Sequence, residues 1–381
     1  MGNSFTLALS TLIGTTVGAG IFGLPYVISR SGIIPGLFYF FFLGGAVMLL
    51  HLLLGEVCLR TTEKHRLIGY SEMYLGGLGK FFIILSTFLG TIGALLVYVI
   101  LGGNFLAIAL SPFFSISDAT ASFLFWIVLS FFVLQKIQLI AKAEFCMNIV
   151  LLLLGVLIFA VAFPHIKSAN FLAMDARNIF LPYGVVLFSL VGWSAIPEIA
   201  DLLKRSKEKR TLDNLIIWAF GIVIALYVAF SLTVVGVSGQ ATSRNALDGL
   251  IPFVGQSIGV LGSLFGLAAI ASSFLILGNY LKNSLRYDFH IPYLFSGPIA
   301  IAVPFLIFLL WIRDVITVMG LVGTVVGVLE GAVIILLYQK AKKKGARTPE
   351  YNLHVPQPLL FLLMAILIVG ALAEIFTSVM V

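Results

Sequence analysis

The chain is written as long apolar runs separated by short polar stretches. A bilayer core of about 30 Å takes roughly 20 apolar helical residues per crossing. Runs of about that length can be drawn at 5–29, 33–59, 79–110, 121–140, 146–164, 179–202, 214–238, 252–281, 293–312, 315–339 and 358–380. A transmembrane β-barrel would instead show period-two alternation in segments of about ten residues, and stretches such as Ile149 to Ala162 are apolar throughout. The pattern therefore predicts an all-α polytopic membrane protein with 11 transmembrane helices. The longest segments between runs, 60–78 and 340–357, are too short for a soluble domain. The first of them reads as an interfacial loop or a short amphipathic helix.

Composition agrees with lipid as the main solvent: 60% of the residues are hydrophobic and 10% charged, with a mean hydropathy of +1.12. The first run is longer than a cleavable signal and lacks its basic flank, so it is read as mature structure. With the N-terminus placed inside, Arg30, Lys167, Arg177, Arg244 and Arg313 fall outside, and the other 18 of the 23 lysines and arginines fall in inner loops. That asymmetry predicts a cytoplasmic N-terminus and a C-terminus on the opposite side of the plasma (inner) membrane. It also makes the net charge of +7 a topology signal and not a nucleic-acid footprint. Cys58 and Cys146 lie near the inner ends of different helices and are expected to be free thiols.

An internal repeat is the informative feature. Helix 1 carries Gly20-Ile-Phe-Gly-Leu-Pro25 and helix 6 carries Gly192-Trp-Ser-Ala-Ile-Pro197. Equivalent points an odd number of spans apart face opposite ways, which is the arrangement of an inverted repeat. The halves are then 1–164 and 165–340, five helices each, with 341–381 supplying a cytoplasmic loop and an additional helix 11. Glycine and proline interrupt helical hydrogen bonding, and in lipid the freed groups need protein, water or a bound solute. Helices 1 and 6 are therefore expected to be discontinuous around a central site. In Gly14-Thr15-Thr16-Val17-Gly18-Ala19-Gly20, amides exposed at an unwound point can hold a carboxylate, because donors and the positive helix end converge there. The plainer reading of the same glycines is a small-residue seam for close helix packing.

The stretch from Gly14 to Tyr26, together with Ile196-Pro197-Glu198, resembles the amino acid-polyamine-organocation superfamily, and most of all its tryptophan/tyrosine permease and amino acid/auxin permease branches. Gly93-Ala-Leu-Leu-Val-Tyr98 and Gly102-Gly-Asn104 resemble those branches too. The resemblance implies a leucine-transporter-like fold of five plus five inverted helices, with substrate between helices 1, 3, 6 and 8. It puts a substrate carboxylate at the amides of Gly18, Ala19 and Gly20 beside Thr15 and Thr16. Ser189, Gly192 and Trp193 would meet the ammonium and side chain, with Trp193 closing over the substrate and Tyr98 facing the same cavity. In helix 8, Ala269, Ser272 and Ser273 share one face by spacing, so a carbonyl and two hydroxyls can converge on a hard cation. The resemblance adds Gly14 and Val17 as the partners of a sodium site; no other cofactor is expected.

Proton coupling is the competing expectation. Intramembrane acids are costly and often functional; Glu330 qualifies by depth in helix 10 and Glu198 by its place after the helix 6 proline, while Glu56 and Glu374 stand without a role and His51 reads as packing. No phosphate-binding loop, zinc-protease or nucleophile-elbow motif occurs, so an ATP-driven pump and an enzyme are not expected. The expected function is cation-coupled (sodium or proton) symport of a neutral, possibly aromatic amino acid by alternating access. Neutral substrates are preferred because no buried, unpaired acid stands beside the two interruptions in sequence. The alternative is an amino acid sensing receptor or channel-like protein on the same fold. The partners are thus the amino acid and the lipid bilayer.

Overall fold

Apolar runs this long bury their peptide groups by forming helices, and among the described residues all regular structure is helical. The computed structural model describes residues 2–134, 153–203, 206–287, 289–310 and 313–380. In chain order the helices are α1 Gly2–Thr16, α2 Gly20–Ser31, α3 Ile33–Arg60, α4 Leu67–Leu110, α5 Asp118–Val133 and α6 Leu153–His165. There follow α7 Pro182–Leu190, α8 Ile196–Leu202, α9 Ser206–Lys209, α10 Leu212–Ser238, α11 Ile251–Val254, α12 Gln256–Tyr287, α13 Tyr293–Leu309, α14 Val315–Lys344 and α15 Gln357–Met380. Among the described residues 7 helices are long and apolar enough to cross a membrane, or 8 if α1 and α2 count as one span; α5, α6 and α13 are shorter. The end of the fourth predicted run, the start of the fifth and Cys146 lie outside the described residues. Cys58 is a buried free thiol.

The segment read as an interfacial loop or a short amphipathic helix is largely helix. α4 begins at Leu67 and runs to Leu110, and the left-handed backbone of Gly76 (φ 74°, ψ −160°) separates its first two turns from the apolar length. Glycine takes that conformation without a Cβ penalty, so a short, partly buried helical arm can precede the long one. α4 is also the central strut, packing against α5, α12, α13 and α14. Large apolar side chains such as Phe38, Phe41 and Trp218 point outward and are more than half exposed, as lipid-facing positions should be.

Two interruptions organise the middle of the bundle. α1 and α2 meet at 53° across residues 17–19. α7 stops at Leu190; Val191 is extended, Gly192 leaves the helical region, and a turn at Trp193–Ala195 leads into α8, whose first turn tolerates Pro197 because that amide needs no partner there. The four half-helices then sort into pairs. α1 packs with α8, whereas α2 packs with α7. α7 lies against α14, α15 and α3, and α8 also lies against α3.

A fully buried acid fastens the segment between α14 and α15. Glu56 accepts from Arg60 Nε at 2.7 Å and from the amide of Leu353 at 2.7 Å, with Lys342 at 3.8 Å. Tyr351 donates to the carbonyl of Leu52 at 2.6 Å. Replacing Glu56 by leucine strands these donors, and a cost of about 2–4 kcal/mol is expected. Thermal unfolding in detergent should show it, while Arg66→Ala, which breaks a half-exposed pair, should cost under about 1 kcal/mol.

Candidate functional site

The two interruptions touch. A Cβ on Gly20 would collide with Ser189 of α7, and a Cβ on Gly192 would collide with the Thr16 hydroxyl. Each glycine therefore lets the other span approach, and the small-residue seam and the broken helices are one feature. Ending a helix frees carbonyls, and the ones released here converge on a single donor. The Tyr227 hydroxyl of α10, fully buried, donates toward the Thr16 carbonyl at 2.9 Å and the Ser189 carbonyl at 2.7 Å. The Gly18 amide turns to the Thr16 carbonyl at 3.1 Å. Gly20, as the first residue of α2, has no intrahelical acceptor, and among the described residues the Ala19 amide donates no backbone hydrogen bond, although its carbonyl accepts from the Phe22 amide at 3.1 Å. The start of α2 thus offers the amides of Ala19 and Gly20.

A cavity of about 210 Å³ opens beside this junction. Thr15, Thr16, Gly18, Ala19 and Gly20 form one edge, Trp193 and Ser194 another, and Thr87, Thr91 and Tyr98 of α4 a third. Phe188, Val191, Ile276, Leu277, Val322 and Val326 make its apolar wall. Its lining continues to Arg66 and Glu198, which are about half exposed and 3.6 Å apart, so the cavity opens at the end where α3 finishes and α4 begins. Toward the other end, Phe22 packs edge-on against Phe105 at 4.8 Å, Phe265 at 5.7 Å and Phe230 at 6.1 Å. Beyond these rings Arg244 pairs with Asp314 at 2.7 Å.

Inside the cavity the ionisable group is Glu330 of α14. Its carboxyl accepts the indole N–H of Trp193 and, at 3.4 Å, the Thr87 hydroxyl. Among the described residues no salt bridge reaches it. This corrects the premise behind the neutral-substrate preference, because a buried acid does stand beside the second interruption. It comes from a helix more than a hundred residues away in sequence, where adjacency along the chain could not reveal it. Glu198 sits at the exposed mouth in a pair with Arg66.

The other candidate residues divide by where the structure places them. Thr15, Thr16, Gly18, Ala19, Gly20, Tyr98 and Trp193 line the cavity, whereas Ser189 and Gly192 pack behind it against Gly20 and Thr16. The hydroxyls of Thr15, Thr16 and Ser189 turn back on their own helices, to Thr11, Leu12 and Val185. Of the cation-site candidates, Ser273 and the Tyr98 hydroxyl both approach Gly18, and Ser273 also donates to the Ala269 carbonyl at 3.1 Å. Ser272 and Val17 are buried. Gly14 is exposed and faces open space.

The model of the tryptophan/tyrosine permease family matches residues 1–374. The chain belongs to that family. The permease also resembles solved transporter structures; one is MhsT in complex with L-phenylalanine, at TM-score 0.68 and 16% identity, with 99% of this chain and 98% of that chain covered. At that identity the likeness shows the fold. A comparison with curated protein sequences gave no significant match.

Three features of the permease site escaped the sequence reading. Thr87 and Thr91 stand eleven and seven residues before the expected Tyr98, which places them on its face of α4, and that spacing was a usable signal. The pairing of Trp193 with Glu330 had none. Tyr227 was one tyrosine in an apolar run, with nothing local to mark it. Tyr227→Phe removes the donor shared by two buried carbonyls, and a loss of about 1–3 kcal/mol is expected. Thermal unfolding should report it, with faster amide exchange confined to peptides around residues 13–20 and 187–195.

Proposed function

We propose that this permease is a secondary transporter that carries a neutral, aromatic-type amino acid together with a proton, presenting one cavity alternately to the two sides of the membrane. The carrying observation is the cavity at two touching interruptions, with free amides at one edge and a buried carboxyl at the other. At about 210 Å³ it is smaller than the roughly 300–1,000 Å³ of drug-sized sites, which suits a single amino acid. The amides of Ala19 and Gly20 and the positive end of α2 suit a carboxylate. Tyr98, Phe188, Trp193 and Val326 offer an apolar bed for a side chain. The family's description and the phenylalanine complex of MhsT support an aromatic one.

In this reading residues 1–164 and 165–340 are the inverted halves, the N-terminus is cytoplasmic in the plasma membrane, and the cavity described above faces the cytoplasm. The pairing of α1 with α8 and of α2 with α7 supports it, because the first half of each interrupted span then lies beside the second half of the other, and equivalent halves lie on opposite sides as an inverted repeat requires. The ring of phenylalanines and the Arg244–Asp314 pair close the outer path.

Glu330 favours the proton as coupling ion. Ionised, its carboxylate holds the Trp193 indole by a charge-assisted hydrogen bond; protonated, it loses charge and loosens that hold, which lets the wall of the cavity move. Sodium at Gly14, Val17, Ala269, Ser272 and Ser273 is the second reading, supported by the approach of Ser273 to Gly18.

The test is uptake of labelled aromatic amino acids into proteoliposomes with proton and sodium gradients imposed separately. Accumulation should rise as the outer medium is made acid, because proton entry then drives uptake. Glu330→Gln should keep exchange of substrate down its own gradient while losing proton-driven accumulation by at least about tenfold. Accumulation that follows sodium and disappears in Ser272→Ala/Ser273→Ala would replace the proton reading with the sodium one. Binding without any flux would point to the sensor.

A further inference from the structure

Glu374 belongs to none of the chemistry above, yet it is buried at 8% exposure in the last helix, α15. Its carboxyl reaches two other helices. The Thr324 hydroxyl of α14 donates to it, and its oxygens lie against the backbone of Gly184 in α7, with the Gly184 amide in reach. Gly184 is the third residue of α7, one of the four leading amides that find no acceptor inside a helix. The residue preceding α7, Leu181, supplies no side-chain cap. An acid from a helix nearly two hundred residues away therefore does what a capping side chain does locally, satisfying the amide and complementing the positive helix end.

The junction is packed backbone to backbone. A Cβ on Gly184 would collide with the Gly320 carbonyl and the Glu374 carboxyl, and a Cβ on Gly323 would collide with the Gly184 carbonyl. Next to it, Tyr183 donates to the Leu367 carbonyl of α15 at 2.8 Å, and its ring covers Gly370. The titratable groups facing the carboxyl are Tyr39 of α3 and Tyr183 of α7.

We infer that Glu374 is a positioning residue, a cap contributed by α15 that fastens the outer half of the second interrupted span to α14, so that α7 and α14 move as one body. α8, beyond the interruption, packs on α1 and α3, and α3 also packs on α7. The two halves of this span thus share α3 and differ in that α14 and α15 lie against α7 and α1 lies against α8, and α15 becomes a working part of the bundle. The inference goes beyond the transport reading and holds whatever solute or ion is carried.

Amide exchange of the full chain in lipid nanodiscs tests it without reference to transport. Glu374→Leu should raise exchange in the peptide spanning 182–190 by about fivefold, the size of a lost cap, with peptides of α10 and α12 unchanged. Glu374→Gln keeps an acceptor oxygen and should stay within about twofold of the parent. If the leucine variant does not fold, Thr324→Val is read in its place; freeing the carboxyl on one side should raise exchange in the same peptide by about twofold or more. Unchanged exchange there in the folded leucine variant, or in Thr324→Val where leucine fails to fold, overturns the inference. So does a glutamine variant as exposed as the leucine one. Because this readout requires no flux, failure of the cap and failure of the transport proposal are told apart.

Discussion

The arrangement depends on one hydroxyl. A helix that stops in the middle of a membrane leaves carbonyls which lipid cannot hydrate, and this chain stops two helices there. Tyr227 meets both at once, 2.9 Å from the Thr16 carbonyl and 2.7 Å from the Ser189 carbonyl. One carbonyl from each interruption is thus met by protein, and the amides at Ala19 and Gly20 are left for something else. The asymmetry turns a structural weakness into a site of defined polarity.

Small residues then decide how near the two interruptions come. Gly20 against Ser189 and Gly192 against Thr16 allow contact that a methyl group would prevent. The same glycines that unwind the helices bring the unwound points together, so the packing role and the functional role do not compete. Trp193, fixed to Glu330 from the far side of the cavity, supplies the wall that a captured solute would meet.

Three buried acids do related work at three levels of the bundle. Glu56 accepts the Leu353 amide at the end where α3 finishes, Glu330 accepts an indole N–H at the centre, and Glu374 lies against the backbone of Gly184, its amide in reach, on the other side. Each joins segments distant in sequence through an N–H donor. An intramembrane carboxyl is tolerable when such donors surround it. Glu330 differs from the other two in facing a cavity.

The positions of the helices and the two Gly-to-Pro interruptions were legible along the chain, because lipid imposes a length and a polarity on every run and glycine and proline carry their backbone consequences with them. The resemblance of Gly14 to Tyr26 pointed to the family for the same local reason. What the tertiary structure decided was partnership: that Tyr227 serves both interruptions, that Glu330 from α14 stands beside Trp193, that Glu198 is at an exposed mouth, and that Glu374 caps α7. Those facts depend on which helices lie side by side, and in an apolar bundle many packings satisfy the same hydrophobic pattern. A hydrogen bond between residues a hundred positions apart leaves no periodicity in one sequence; it exists only once the helices have been set against each other.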